Sequence, residues 1–127
     1  MPELNAIGIT FSNVERTVSF YELLGLAVPD DTSSGHFEVT MANGTRLMFD
    51  SEEVILSFLP GWTRTDGNQV GLAFECSTAA EVDAIYARVV AAGFEGEKEP
   101  WDAFWGQRYA LLGDPDGVRV NLYAPLA

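Results

Sequence analysis

Phe11-Ser12-Asn13-Val14-Glu15-Arg16-Thr17-Val18-Ser19-Phe20-Tyr21-Glu22-Leu23-Leu24-Gly25-Leu26 is the stretch on which the fold turns. Ser12 with Glu15 three residues on has the spacing of a capping box, which predicts a helix start. Val14, Val18 and Tyr21 then recur at helical spacing, and Gly25 supplies the stop. Just before it, Ile7, Ile9 and Phe11 alternate with Ala6, Gly8 and Thr10, the period of a strand with one apolar face. The unit therefore opens strand, helix.

Short apolar segments follow at Leu26–Val28, Phe37–Met41, Arg46–Phe49 and Val54–Leu59, read together as three or four strands. Asn43-Gly44 marks a tight hairpin between the second and third. After a Pro-, Gly- and Thr-containing connector over Pro60–Asn68 the order starts again. Val70, Leu72 and Phe74 alternate with Gly71, Ala73 and Glu75. Thr78 with Glu81 repeats the capping box, Val82, Ile85, Tyr86 and Val89 make the stripe, and Gly93 ends it. Strands are expected at Phe104–Leu112 and Val118–Tyr123, joined by Asp114-Pro115-Asp116-Gly117. Glu15 and Glu81 are 66 residues apart, Gly25 and Gly93 are 68 apart, and the two hairpin turns are 73 apart, a drift that loop lengths explain. One α+β domain over residues 1–127 is thus expected, built from two modules at about 1–60 and 69–127.

Alternation also sorts the strand side chains. Leu47 and Phe49 face the helix in one module, as Val120 and Leu122 do in the other. The opposite face carries Arg46, Met48 and Asp50 in the first module, and Arg119, Asn121 and Tyr123 in the second.

Composition narrows the function. With 7 Lys+Arg against 19 Asp+Glu the net charge is -12, the wrong sign for nucleic acid or an anionic membrane. The excess is spread along the chain, so it is not an acidic tail. A single cysteine, Cys76, allows no internal disulfide and fits a reducing compartment. With no leader-like segment at the N-terminus and no apolar run of spanning length, a cytoplasmic location is expected.

The segment Phe11–Tyr21, the Leu23-Leu24-Gly25-Leu26 after it and the late Asp114-Pro115-Asp116-Gly117-Val118-Arg119-Val120-Asn121-Leu122 resemble the vicinal oxygen chelate superfamily of glyoxalases, extradiol dioxygenases and bleomycin-resistance proteins. The resemblance covers nearly the whole chain. It implies two tandem βαβββ modules whose curved mixed sheets enclose a cavity, commonly in a homodimer. In metal-dependent members it implies four ligands, typically His or Gln, Glu, His and Glu, on cavity-facing strand positions. Here those positions carry Ala6, Met48, Gly71 and Asn121. Two have no donor, and the other two offer a thioether and a neutral amide, where a divalent cation wants several imidazoles or carboxylates. No metal and no cofactor are expected there.

The small residues Ala6, Gly8, Gly71 and Ala73 leave room for a flat guest. Trp105-Gly106-Gln107-Arg108-Tyr109-Ala110 looks like the tryptophan-glycine segment with which bleomycin-resistance proteins stack on a planar drug. Phe104 here stands where a proline precedes the tryptophan, and Pro100-Trp101 lies four residues earlier, so either tryptophan could take that role. Trp105, Gln107 and Tyr109 share one strand face. Trp62 lies in the connector, and Lys98–Ala103 reads as a second flanking loop. The acids Asp50, Glu52, Glu53, Glu97, Glu99 and Asp102 lie close by in sequence and would favour a cation. The expected ligand residues are Trp105, Tyr109, Gln107, Met48, Asp50, Glu75, Asn121, Arg119, Trp62 and Trp101, for antibiotic-sequestering binding of an aromatic, cationic small molecule. Glu75 is expected either as a polar contact or as an ion-pair partner of Arg119 or Arg46. The alternative is an enzyme of the same superfamily, an isomerase, lyase or dioxygenase, with an atypical metal site drawn from His36, Glu38, Asp50 and Glu75.

Overall fold

A computed structural model describes residues 1–65 and 70–126 of the chain. It divides into two compact units, Met1–Thr65 and Asp66–Ala127. The expected connector and the start of the second module at residue 69 lie partly outside the described residues.

The first unit opens with β1 (Ala6–Phe11) and α1 (Val14–Leu23). The cap of α1 is Asn13, one residue beyond the expected Ser12: its Oδ1 accepts the Arg16 N–H at 3.0 Å. The buried stripe is also displaced, to Thr17, Phe20 and Tyr21, while Val14 and Val18 are half-buried. Two aromatic rings bury more apolar area than two valines, and that area decides which side of the helix faces the sheet. Gly25 ends the helix at φ 94°, where Leu26 N–H turns back to the Tyr21 carbonyl at 3.1 Å.

Then come β2 (His36–Thr40) and β3 (Arg46–Ser51), joined through the expected turn at Asn43-Gly44. The sheet order is β1-β3-β2, with β1 parallel and β2 antiparallel to β3. Ile9, Phe11, Phe37, Val39, Leu47 and Phe49 form its buried face, and the Phe49 ring meets Tyr21 and Phe37, each with centroids at 4.9 Å.

Two of the four segments read as three or four strands do not form strands. Leu26–Val28 is irregular. Val54–Leu59 lies instead within and just after a helix, α2 (Glu52–Phe58). The β-branched Val54 and Ile55 suggest a strand, but Ser51 caps the segment, its Oγ accepting the Val54 N–H at 3.1 Å. Glu52 and Glu53 then sit in the first turn, where the helix dipole favours them.

The second unit repeats the plan with β4 (Gly71–Glu75) and α3 (Ala79–Ala91). Here the capping residue is the expected Thr78, accepting from Glu81 N–H at 3.1 Å, while the Glu81 carboxylate takes the Ser77 N–H. Val82, Ile85 and Val89 are buried, and Gly93 closes the helix as Gly25 closed the first.

β5 (Glu95–Ala103), β6 (Gln107–Gly113) and β7 (Arg119–Pro125) complete a sheet of order β4-β7-β6-β5. β7 is parallel to β4 and antiparallel to β6, as β3 is to β1 and β2. β5 is the element the sequence conceals: Lys98–Ala103, expected as a loop, belongs to this edge strand. Register shifts between Gly96 and Trp101, together with Pro100, break the alternation by which a strand is recognised. On its helix-facing side, Gly96 leaves the space taken by the Tyr86 hydroxyl of α3; a Cβ there would also lie 2.9 Å from Val90 Cγ2. The Asp114–Gly117 turn is held by Asp114, whose Oδ1 accepts the N–H groups of Asp116 and Val118, both at 2.8 Å.

Among the described residues no helix is long and apolar enough to cross a membrane.

Candidate functional site

On the open face of the first sheet, register sets three rows of side chains. Thr10, Asp50 and His36 lie across one row, Gly8, Met48 and Glu38 across the next, and Ala6, Arg46 and Thr40 across the third. Pleat alternation puts the buried phenylalanines on the other side and these polar groups on this one. His36 is held between two carboxylates, Nδ1 at 2.6 Å from Asp50 and Nε2 at 3.0 Å from Glu38. These bonds, Asp50 first, hold its pKa above the ordinary 6.5, while His36 and then Arg46 hold Glu38 below the usual carboxylate range. Arg46 also bonds Glu38 through Nη1 and reaches Asn5 Oδ1 at 2.6 Å.

Three of the four residues needed by an atypical metal site, His36, Glu38 and Asp50, thus meet. They are spent on one another and on Arg46. Among the described residues no group of three or more His, Cys, Asp or Glu is arranged to hold a metal ion.

The open face of the second sheet is different in kind. Gly71, Ala73 and Glu75 of β4 pair with Arg119, Asn121 and Tyr123 of β7; Leu111 and Tyr109 of β6 pair with Asn121 and Tyr123; Trp101 of β5 pairs with Tyr109. Tyr109 is the hub. Its ring lies 5.7 Å from Trp101, 5.3 Å from Trp105 and 6.0 Å from Tyr123, the last pair stacked at 22°. Its hydroxyl accepts from Asn121 Nδ2 at 2.9 Å. Trp105 stands in the turn between β5 and β6 rather than on β6, yet its Nε1–H donates to Gln107 Oε1 at 2.9 Å, which aims it at the same set. Trp105 is 48% exposed and Phe104 beside it 97% exposed.

The expected ligand residues therefore divide. Trp101, Trp105, Gln107, Tyr109, Asn121, Arg119 and Glu75 share the face of the second sheet, while Met48 and Asp50 belong to the first. Trp62 follows α2 in the first unit, where Arg64 lies over its ring at 5.7 Å. Sequence reading left out two members of the aromatic set. Tyr123 joins it by stacking on Tyr109, and Lys98 places its ammonium 4.5 Å above the Trp101 ring. Alternation alone puts Tyr123 on this face beside Asn121 but does not show its stacking on Tyr109, and the bulged strand hides Lys98.

Within the second unit Arg119 sits opposite Gly71, two same-face rungs or roughly 13 Å along β4 from Glu75, and does not pair with it, while in the first unit Arg46 is taken by Glu38. Two of the expected acids are neutralised within their own units: Glu52 pairs with Arg64 in the first and Asp102 with Arg108 in the second, both at 3.0 Å. Cys76 follows β4, buried, its N–H donating to the Tyr123 carbonyl at 2.7 Å. Burial, then the Glu81 charge, pushes its thiol up to about 11, unlike an activated nucleophile. A groove of about 320 Å³ in the first unit runs past Ser12, Thr32, Ser33, Ser51 and Glu53, lined by none of the expected ligand residues.

A family model described as Glyoxalase/Bleomycin resistance protein/Dioxygenase superfamily matches residues 3–122. The chain belongs to this superfamily. Solved structures of the superfamily's fold superpose over almost all of it. A glyoxalase-related enzyme from Fulvimarina pelagi has TM-score 0.84 at 21% identity, over 98% of this chain and 88% of its own. A glyoxalase/bleomycin resistance protein/dioxygenase from Nocardioides has TM-score 0.74 at 25% identity, over 99% and 85%. A protein from Agrobacterium tumefaciens, solved in solution, has TM-score 0.76 at 26% identity, over all of both chains. No curated protein shows a significant match.

Within this superfamily the donor chemistry at Ala6, Met48, Gly71 and Asn121 does not fit a divalent metal. Met48 lies between Gly8 and Glu38 and brings only a thioether, the Gly71 position is crossed by the Arg119 guanidinium, and Asn121, whose Nδ2 is engaged by Tyr109, brings a single neutral oxygen.

Proposed function

We propose that this superfamily member is a metal-free binding protein that sequesters a flat aromatic small molecule, in the manner of drug-binding resistance proteins, on the open face of its second sheet. The observation that carries this is the Tyr109 assembly: edge-to-face tryptophans, a stacked tyrosine and half-exposed Trp105, beside strand positions kept small by Gly71 and Ala73. Aromatic surface held open and oriented by a hydrogen bond is a ready stacking platform. Trp105 is the ring that stacks; Trp101, whose face Lys98 covers, supports it. A positive charge on the ligand is favoured by the net charge of -12 and by stacking, each well-placed cation–π contact contributing about 0.5–2 kcal/mol.

Tryptophan fluorescence titrated with a panel of planar aromatic cations at low salt tests this reading. Saturable quenching, with the ligand recovered unchanged, is the expected result; no affinity across the panel sinks it. A homodimer, read by light scattering, and residence in the cytoplasm belong to the same proposal. Exposed Leu56, Phe58 and Leu59 on and after α2 support the first, and the lone buried cysteine supports the second.

An enzyme of the superfamily is the second reading, favoured by one observation: His36 lies 2.6 Å from Asp50, the spacing of an oriented acid–base pair. Metal analysis of protein purified without chelators separates the two, since a stoichiometric divalent ion would favour the enzyme.

A further inference from the structure

Buried polar atoms in folded proteins nearly always find partners, and those that do not ask for an explanation. Among the described residues, Arg119 Nε and Asn121 Oδ1 on the second sheet have none. They lie two residues apart on β7, so both project from the open face, next to each other along the strand. One is a donor and the other an acceptor, yet they do not bond each other. The Asn121 amide is held from its far end by the Tyr109 hydroxyl, and Arg119 lies against Gly71, where a Cβ would come within 3.1 Å of Nε. The Asn121 amide is thus oriented and the Arg119 guanidinium packed over Gly71, each with one buried polar atom unpaired, beside the aromatic hub.

We infer that the ligand carries, next to its ring, a carbonyl and an N–H on adjacent atoms, as in an aromatic carboxamide or lactam. The carbonyl oxygen accepts from Arg119 Nε–H and the N–H donates to Asn121 Oδ1. This rests on the binding reading above and names the chemical class that site selects. A carboxylate would satisfy Arg119 but set an acceptor against the Asn121 oxygen, and it would approach a chain of net charge -12. A bare ring would leave both groups buried and unmet. A site built to hydrogen-bond a polar group discriminates against analogues lacking it, because its own groups are then left unpaired.

The test is calorimetric titration of the wild-type protein with three compounds sharing one ring: 9-aminoacridine, its 2-carboxamide and the corresponding N,N-dimethylcarboxamide. The carboxamide should bind roughly tenfold or more tighter than the bare ring, with the dimethylamide, which has lost its N–H, in between. Arg119→Met, which keeps the length of the side chain and removes its donor, should shrink the ratio of carboxamide to ring towards one. Equal affinity of carboxamide and bare ring in the wild type overturns this inference and leaves the aromatic-binding reading standing. No binding of any of the three overturns both. The ligand comparison uses the wild-type chain alone and so does not depend on the variant folding.

Discussion

Asn121→Leu is expected to stabilise the protein, against the usual sign for a change on a central strand. Leucine has the same branching and the same number of side-chain heavy atoms as asparagine, so the space is nearly conserved. The wild-type amide keeps one buried oxygen without a partner. Leaving such a group unsatisfied costs about 1–3 kcal/mol, and the substitution removes that cost. Against this stands the bond from Nδ2 to the Tyr109 hydroxyl, with a net contribution of about 0.5–1.5 kcal/mol. The difference is about 1 kcal/mol in favour of the variant, which for a chain of this length raises the thermal midpoint by roughly 4 °C. Urea unfolding followed by circular dichroism gives the change directly, provided the slope is unchanged. A variant less stable than wild type by about 1 kcal/mol or more, at equal slope, would refute the reasoning, because it would mean that the amide is fully satisfied in the native protein.

Replacing Trp105 by alanine should weaken binding of planar aromatic cations at least about fivefold, read by calorimetry, while the unfolding midpoint moves little because the ring is half-exposed. The Cys76 thiol, held near 11, should react with iodoacetamide at about pH 8 on the order of a hundredfold more slowly in the native than in the unfolded chain, followed by mass spectrometry. His36 should titrate above 6.5 by NMR, and Asp50→Asn should bring it down. A raised histidine stabilises fully below its unfolded value and loses that contribution as pH rises through the folded one. The lowered Glu38 contributes above 4.5 and loses its contribution as pH falls through its folded value. Unfolding midpoints should therefore be highest between about pH 4.5 and 6.5 and decline on either side, with His36→Gln flattening the alkaline side. Dialysis against EDTA should leave the thermal midpoint unchanged, whereas a bound structural ion would make it fall.

Periodicity carried the doubled plan because it depends on local rules that both halves obey. Gly25 and Gly93 end their helices at the same φ of 94°, and Leu47, Phe49, Val120 and Leu122 are buried as alternation requires. What escaped was decided by competition between rules. At Val54–Leu59 β-branched side chains argued for a strand, and a serine cap followed by two glutamates outweighed them. At Glu95–Ala103 bulges and a proline erased the alternation of a strand that is nonetheless paired. The aromatic members Trp101, Trp105 and Tyr109 were legible because they are large and close in sequence. Their geometry was not, since it rests on the cross-strand register that seats Trp101 opposite Tyr109 and Tyr123 behind it. His36, Glu38 and Asp50 could be grouped by residue type alone, but their geometry could not be read, since His36 and Asp50 are 14 residues apart and meet only through β2–β3 pairing.

The tyrosine hydroxyl that occupies the space above Gly96 ties a helix position to a strand position ten residues away. Descendants of this sequence should inherit the two as a linked pair. A lineage that acquires a side chain at 96 must also move or lose the phenol at 86 and trim or shift Val90, and one that keeps both in place stays confined to glycine. Such a constraint would surface among homologues as covariation of position 96 with 86 and 90, a historical trace of α3 resting against the bulged strand.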